Sequence, residues 1–487
     1  MSGSLWLPPG ARPITLPSLP RRRAPTGRPG PDPIDELADR LADFVGAAVH
    51  PDEVAALLES DGLSDDQIRE RYGVKNSFAL AEELYERVPR SHPEPDGPPH
   101  DPWRAGLLGC LLRGLVVALP GLAYVLGAPL LAGPRGDLGL PAGTVPLLAG
   151  ALCGWSWNQG LSHRAYTWLG LGDRAAARRC LLVGAPAGAL LGSLVALAAT
   201  GPAHPAALVF AVGQSCYLGA STTLLVLGRE KLLLAALAPM AAGAVVALVH
   251  PVPGPLRPLL LLGSLAAVMI LGLREVRPTL QELGELFTRD RTGSPWPTAS
   301  LPYALFGLGS GVLLLYAALG DVLAGESAGA LAAPAAVALT LSMGPAEWLL
   351  HRFRSGSLAG LRSTGTARAL RRTTARTVIA CLTGYLLVLL TLALLTSALW
   401  PHSPGLAGVR LTGLLLLGVV LWTGLLLQSF GAILGATAIA CTAALTQTAA
   451  LLSHLPPHSV ALTVYGAAAT AQAVLVCALL GRATAHR

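Results

Sequence analysis

Charge is what this sequence has least of. Only 13% of its 487 residues are Asp, Glu, Lys or Arg, while 52% are hydrophobic. A soluble chain carries about a quarter charged residues, so a water-facing globular surface is excluded for most of the length. Lysine is nearly absent, with Lys75 and Lys231 alone. Arginine therefore supplies almost all the positive charge, which together with the Ala, Gly and Pro content suggests a GC-rich bacterial genome. Acids are concentrated in the first hundred residues, and long stretches after Trp103 have none. The seven cysteines form no CxxC pair and no Cys/His spacing suited to zinc, so neither a disulfide framework nor a metal site is expected. Each falls in or beside an apolar segment and reads as a small hydrophobe. The start, "MSGSLWLPPGARPITLPSLPRRRAP", is interrupted by proline and has no continuous apolar run, which excludes a signal peptide. Residues 1–33 read as a disordered tail with a basic cluster at Arg21–Arg23. There is no G-x-x-x-x-G-K-[ST] loop, no HExxH and no GxSxG. The acids expected on the outer side, Asp137, Asp321 and Glu326, lie in loops too short for a catalytic domain. An enzyme is therefore not expected, and no cofactor or nucleic-acid partner is implied.

What the sequence does have is long apolar runs. Twelve are long enough to cross a bilayer, at about 20 residues each: 105–131, 142–162, 180–199, 206–227, 232–249, 256–273, 301–323, 328–350, 377–399, 411–430, 432–452 and 460–480. The expected fold class is an all-α polytopic membrane protein.

Ahead of them, residues 34–90 read as a small helical cytoplasmic module. Asp32 and Pro33 supply an N-cap and a first-turn proline. Ile34, Leu37, Leu41, Phe44 and Val45 share one helical face. Pro51 opens a second helix, Ser64 and Gln67 form a capping box before a third, Gly73 ends it, and "NSFALAEELYERV" is a fourth. The module is acidic, with fourteen carboxylates against six Lys/Arg. That charge suits a basic protein partner and equally suits a solvated helical surface. Residues 91–103 are a Pro-rich linker.

Orientation follows from arginine. Nineteen Lys/Arg fall in one set of loops and tails, against only Arg135, Arg257 and Arg410 in the other. The positive-inside rule then puts both termini in the cytoplasm and the protein in a bacterial cytoplasmic membrane. The basic residues also reveal a repeat. Gln159-Gly-Leu-Ser-His163-Arg164 stands against Glu347-Trp-Leu-Leu-His351-Arg352 at an offset of 188 residues, and Arg178-Arg179 matches Arg371-Arg372 after a five-residue insertion. Each half holds six spans, an even number, so the repeats share one orientation. The halves are 104–273 and 301–487, joined by a basic cytoplasmic linker, 274–300, part of which is a candidate interfacial helix.

Six plus six spans, both termini inside, and "GLGDRAAARR" after the second span resemble the multidrug/oligosaccharidyl-lipid/polysaccharide (MOP) exporter superfamily over residues 104–481. That superfamily includes MATE drug exporters, Wzx-type polysaccharide flippases and MurJ-type lipid II flippases. The second copy of the loop, "GSLAGLRSTGTARALRR", is degenerate. The resemblance implies two helical bundles around a central cavity lined by spans one, two, seven and eight and worked by alternating access. No Asp lies deep in span one, which favours a saccharide-lipid flippase over a drug exporter.

Polar residues within the spans are the candidates for the cavity. Arg113 lies about 12 Å into span one; intramembrane arginine faces a cavity or a partner, and guanidinium suits a diphosphate. Alternatively it snorkels, or pairs with Glu347. Glu347 reads as a proton or cation site, a gate partner, an interfacial acid, or an ion pair with Arg113 or Arg352. Asn158 and Gln159 suit either the cavity or hydrogen bonding between helices. Trp155 and Trp157 are candidates to stack on a sugar or isoprenoid. His163, Arg164, Asp173, Arg174, Arg178, Arg179, His351, Arg352, Arg371 and Arg372 form the candidate cytoplasmic gate loops. Gly170, Gly172, Gly356 and Gly360 are expected to allow tight turns there, with Asp173 capping the helix that follows. The arginines are also expected to meet anionic membrane lipids.

The expected function is to move a lipid-linked saccharide, or another amphipathic anion, across the membrane. The alternatives are a non-transporting scaffold that recruits envelope-polysaccharide enzymes through residues 34–90, and a MATE-like drug exporter.

Overall fold

The computed structural model describes residues 32–91, 101, 105–133, 139–200, 204–278, 297–323, 333–363, 366–400, 406–453, 455 and 457–480. The expected tail up to residue 31, the Pro-rich stretch apart from Ser91 and Asp101, and the candidate interfacial helix within 279–296 lie outside them; Asp32 and Pro33 instead cap and begin the first helix. The chain divides into two compact units, Met1–His100 and Asp101–Arg487.

The first unit holds five helices: α1 (Pro33–Arg40), α2 (Ala42–Ala47), α3 (Pro51–Ser60), α4 (Asp65–Tyr72) and α5 (Ser77–Arg87). Its caps are those the sequence implies. Asp32 accepts the Ile34 N–H at 3.0 Å, the Ser64–Gln67 box is closed in both directions, and Gly73 ends α4 at φ +73°. The expected first helix is divided at Leu41, which turns the chain between α1 and α2. As a result Ile34, Leu37 and Val45 are buried while Phe44 is exposed. These three join Val54, Leu58, Ile68, Leu80 and Leu84 in a core belonging to this unit alone.

The second unit is all-helical among its described residues, and ten of its helices are long and apolar enough to cross a membrane. These are α6 (Leu107–Leu131), α8 (Arg174–Thr200), α9 (Pro205–Val226), α10 (Glu230–Val249), α11 (Leu256–Val276), α12 (Leu301–Leu323), α15 (Ala367–Leu399), α16 (Val409–Ser429), α17 (Ile433–Leu452) and α18 (Pro457–Leu480). The second and eighth apolar segments also fold as helices but fall outside that group. The second is α7 (Thr144–Gly170), made polar by Ser156, Asn158, Gln159, His163 and Arg164. The eighth is α13 (Ala333–Leu341) followed by α14 (Met343–Ser363), broken at Ser342. Ser342 is buried and turns its hydroxyl to Leu339 O at 2.7 Å, with Tyr385 Oη 3.3 Å away. Helix α6 is also interrupted, by a 3₁₀ turn at Leu119–Leu122 around Pro120.

Helix packing repeats in part (α13 and α14 taken together); the close packing of α7 on α9 and of α12 on α13 has no counterpart among the main pairings six places away. Helix α6 packs on α9, α10 and α11; α7 on α8; α8 on α9 and α11; α9 on α10 and α11; and α10 on α11. Moving each helix six places along the chain gives pairings that are also present: α12 with α16, α17 and α18; α13–α14 with α15; α15 with α16 and α18; α16 with α17 and α18; and α17 with α18. The largest apolar core draws only on residues 303–479, and three others only on 116–271, 161–276 and 131–211; a smaller one joins the two sets, Leu140 and Leu148 packing with Leu315, Leu319 and Val322. Contact between the two sets runs through α6 with α13–α14 and through α7 with α12.

Candidate functional site

The two crossings between the sets are built on glycine. At the first, a Cβ placed on Gly114 of α6 would lie 2.7 Å from both the Cα and the N of Gly344 at the start of α14, so the backbones touch. At the second, Gly160 of α7 lies against Ala304 and the Ser300 carbonyl, Gly307 of α12 against Gln159, and Gly311 against Leu152 and Trp155. Ser156 Oγ donates to Ala304 O at 2.8 Å across the same seam. Small residues allow this approach, which helices in lipid need because their packing relies on van der Waals contact and hydrogen bonds.

Immediately before Gly114 in the chain, Arg113 joins three helices. Its Nη2 and Nε donate to Glu230 Oε1 at 3.0 and 3.2 Å, and its Nη1 donates to Glu347 Oε1. Glu230 is the first residue of α10, where an acid is favoured by the helix dipole. Glu347 lies in the second turn of α14, and His351 Nε2 is 3.8 Å from it. The two carboxylates are about a fifth and a quarter exposed, the guanidinium about half. Charge-assisted bonds are worth roughly 1.5–3 kcal/mol each, and partial exposure reduces that toward the surface value of about 1 kcal/mol. The cluster therefore holds α6 and α10 to α14 with modest, breakable strength. Tyr166, one turn beyond His163 on α7, lies within electrostatic reach of Arg113, Glu230 and Glu347, so the cluster and the α7–α12 seam near His163 lie toward the same end of the helices.

The candidate cavity residues divide into two groups. Arg113 meets Glu347, as one of the two pairings considered for that acid, and Gln159 and Trp155 face α12 across the seam. Asn158 and Trp157 turn the other way. Asn158 is buried and donates to Gly154 O at 2.8 Å within its own helix. Trp157 donates to Gly184 O at 2.8 Å and covers Gly188, both on α8.

The candidate gate residues require a correction: most lie on helices, not in loops. Helix α7 runs on to Gly170 and α14 to Ser363, well past the apolar segments, because Ala, Leu and Arg are good helix formers and no proline intervenes. His163 stacks on Tyr303 with centroids 3.6 Å apart, and its Nδ1 is 3.0 Å from Ser300 Oγ. Arg164 is half-buried on α7. Arg352 lies over Trp348, 5.4 Å from the ring centroid, and not on Glu347. Arg174, Arg371 and Arg372 are exposed, and Arg178 is half-buried. Gly172 does make the expected turn, at φ +78°, and Asp173 caps α8, accepting the Ala176 N–H at 2.7 Å with Arg179 3.9 Å away. Gly356 and Gly360 lie inside α14, where they pack against Thr377 and Thr373 of α15. They serve close helix packing there, not turns.

Sequence reasoning missed Glu230. Its signal was an acid in the first turn of an apolar helix, in a region with few others. It also missed Ser300 and Tyr303 as partners of His163.

No protein-family model matches this chain, and neither a curated protein nor a solved structure does. The resemblance to the MOP exporters rests on the sequence features quoted above.

Proposed function

We propose that this chain is a membrane transporter that moves a lipid-linked saccharide, or another amphipathic anion, across the bacterial cytoplasmic membrane by alternating access. Its moving parts are two like-oriented six-span halves, α6–α11 and α12–α18. The observation that supports this reading is the recurrence of most helix pairings six places along the chain, α7–α9 and α12–α13 excepted, with the halves meeting at two glycine crossings. The arginine distribution makes the end holding Arg113, Glu230 and Glu347 cytoplasmic. The ion pairs then act as an inward latch: closed, they tie α14 to α6 and α10; opened, they free a guanidinium at the mouth of the path between α6, α7, α12 and α14. A freed guanidinium can hold a phosphate in two bonds.

Purified protein in liposomes, supplied with a fluorescent lipid-linked saccharide on one face, tests the proposal. Wild type should move the lipid faster than empty liposomes, and Arg113→Ala should slow that movement. No movement by well-folded wild type would reject the reading.

A second reading has one observation in its favour. The acidic N-terminal unit has a core of its own, as a docking module on a non-transporting scaffold would. Deleting residues 32–91 separates the two: a scaffold loses its envelope-building partners, while a transporter keeps lipid movement.

A further inference from the structure

The two arginine-bearing helical hairpins differ in one respect that the repeat hides. At the first, Asp173 caps α8 and stands 3.9 Å from Arg179. An acid at a helix N-terminus is favoured by the dipole, and this one also offsets neighbouring cations. At the second, the cap is Thr366, whose neutral hydroxyl accepts the Ala369 N–H at 3.2 Å. Arg368, Arg371, Arg372 and Arg376 follow, and α15 contains no Asp or Glu. Cations in the first turns of a helix are opposed by its dipole and by one another. No acid in the helix itself balances them.

The direction of these side chains identifies what does. Arg368, Arg372 and Arg376 recur every four residues, share one face and are exposed. The same face continues through Ile379, Thr383, Leu387 and Leu394, all exposed. The opposite face is buried at Leu370, Thr374, Cys381 and Tyr385. An apolar face left open along a membrane helix faces lipid. From Thr377 to Leu399 the helix is about 34 Å long, close to the roughly 30 Å hydrocarbon thickness. The three arginines therefore occupy about 12 Å just beyond one edge of the hydrocarbon, on its lipid-facing side.

We propose that Arg368, Arg372 and Arg376 form a binding site for the headgroup of an anionic phospholipid, whose phosphate supplies the negative charge that Asp173 supplies at the first hairpin. Arginine suits the role because its planar fork meets phosphate oxygens in pairs, and the acyl chains lie along Ile379, Leu387 and Leu394. The site requires only that α15 spans the membrane and is independent of whether the protein transports.

The test uses the full chain in neutral detergent micelles with fluorescent phosphatidylglycerol, with phosphatidylcholine as comparison and inorganic phosphate as competitor. Phosphatidylglycerol should bind in preference to phosphatidylcholine. The triple variant Arg368→Gln/Arg372→Gln/Arg376→Gln should weaken binding roughly 100-fold at low salt, at about 1 kcal/mol per arginine. Thr366→Asp should also weaken it, by installing an internal acid while keeping every arginine, and that variant should remain fully helical by circular dichroism. Equal binding of the two lipids would overturn the proposal. So would unchanged phosphatidylglycerol binding by folded Thr366→Asp, or full displacement by inorganic phosphate, which would make this a free-anion site.

Discussion

Adding one methyl group at Gly114 should force α6 and α14 apart. The new Cβ would sit 2.7 Å from the Cα and N of Gly344. Carbon atoms rest at about 3.5–4.0 Å, and both obstacles are backbone, so no side chain can turn aside. The helices must separate locally by about 1 Å. Overpacking of this kind costs about 1–3 kcal/mol, and with tenfold per 1.4 kcal/mol the closed crossing should be disfavoured roughly 5- to 150-fold. Cys110 reports on this directly. It is 4% exposed, and its carbonyl lies 2.9 Å from a Cβ placed on Gly344. With the other six cysteines replaced by serine, maleimide labelling of Cys110 in membranes should speed up at least fivefold in Gly114→Ala, and Gly344→Ala should behave alike. Gly109→Ala on the same helix meets nothing within 4 Å and should label at the starting rate. Unchanged labelling in Gly114→Ala, or equal acceleration in Gly109→Ala, would refute the backbone-contact argument.

Other outcomes can be checked by melting and titration. Arg113→Gln leaves Glu230 and Glu347 facing each other without a cation; thermal melting in detergent should show a loss of about 1–2 kcal/mol, between the exposed and buried limits, and adding Glu347→Gln should recover part of it. In the N-terminal unit, hydrogen bonds from Arg87 and then from the Ile34 N–H hold the Asp32 carboxyl below its ordinary pKa. A depressed carboxylate stabilises the fold above its unfolded pKa, near 4, and loses that effect as pH falls through the folded value. Excised residues 32–91 should therefore unfold more easily as pH drops below about 4, and Asp32→Asn should flatten that part of the profile in circular dichroism. Ser64→Ala opens the capping box and should cost the same fragment about 1 kcal/mol in urea denaturation.

Several features could be read in the sequence because they depend on neighbours along the chain. The caps at Asp32, Ser64 and Asp173, the turns at Gly73 and Gly172, and the apolar runs of the helices are all of this kind. The 188-residue offset between the basic stretches was visible too, since it compares the chain only with itself. Other features depended on atoms far apart in sequence. Nothing near Glu230 reveals that it reaches Arg113, 117 positions away, because the two meet only when α6 and α10 pack. Gly356 and Gly360 look like turn residues in a polar stretch, yet the facing threonines of α15 give them the opposite role. The tertiary structure also separated Asn158 from Gln159: adjacent residues on a helix point about 100° apart, so one is buried and turns back onto its own helix at Gly154 while the other faces the seam at Gly307. Hydropathy and capping are local energies and can be read locally. Which polar side chains meet is set by how whole helices pack, and only the folded chain determines that.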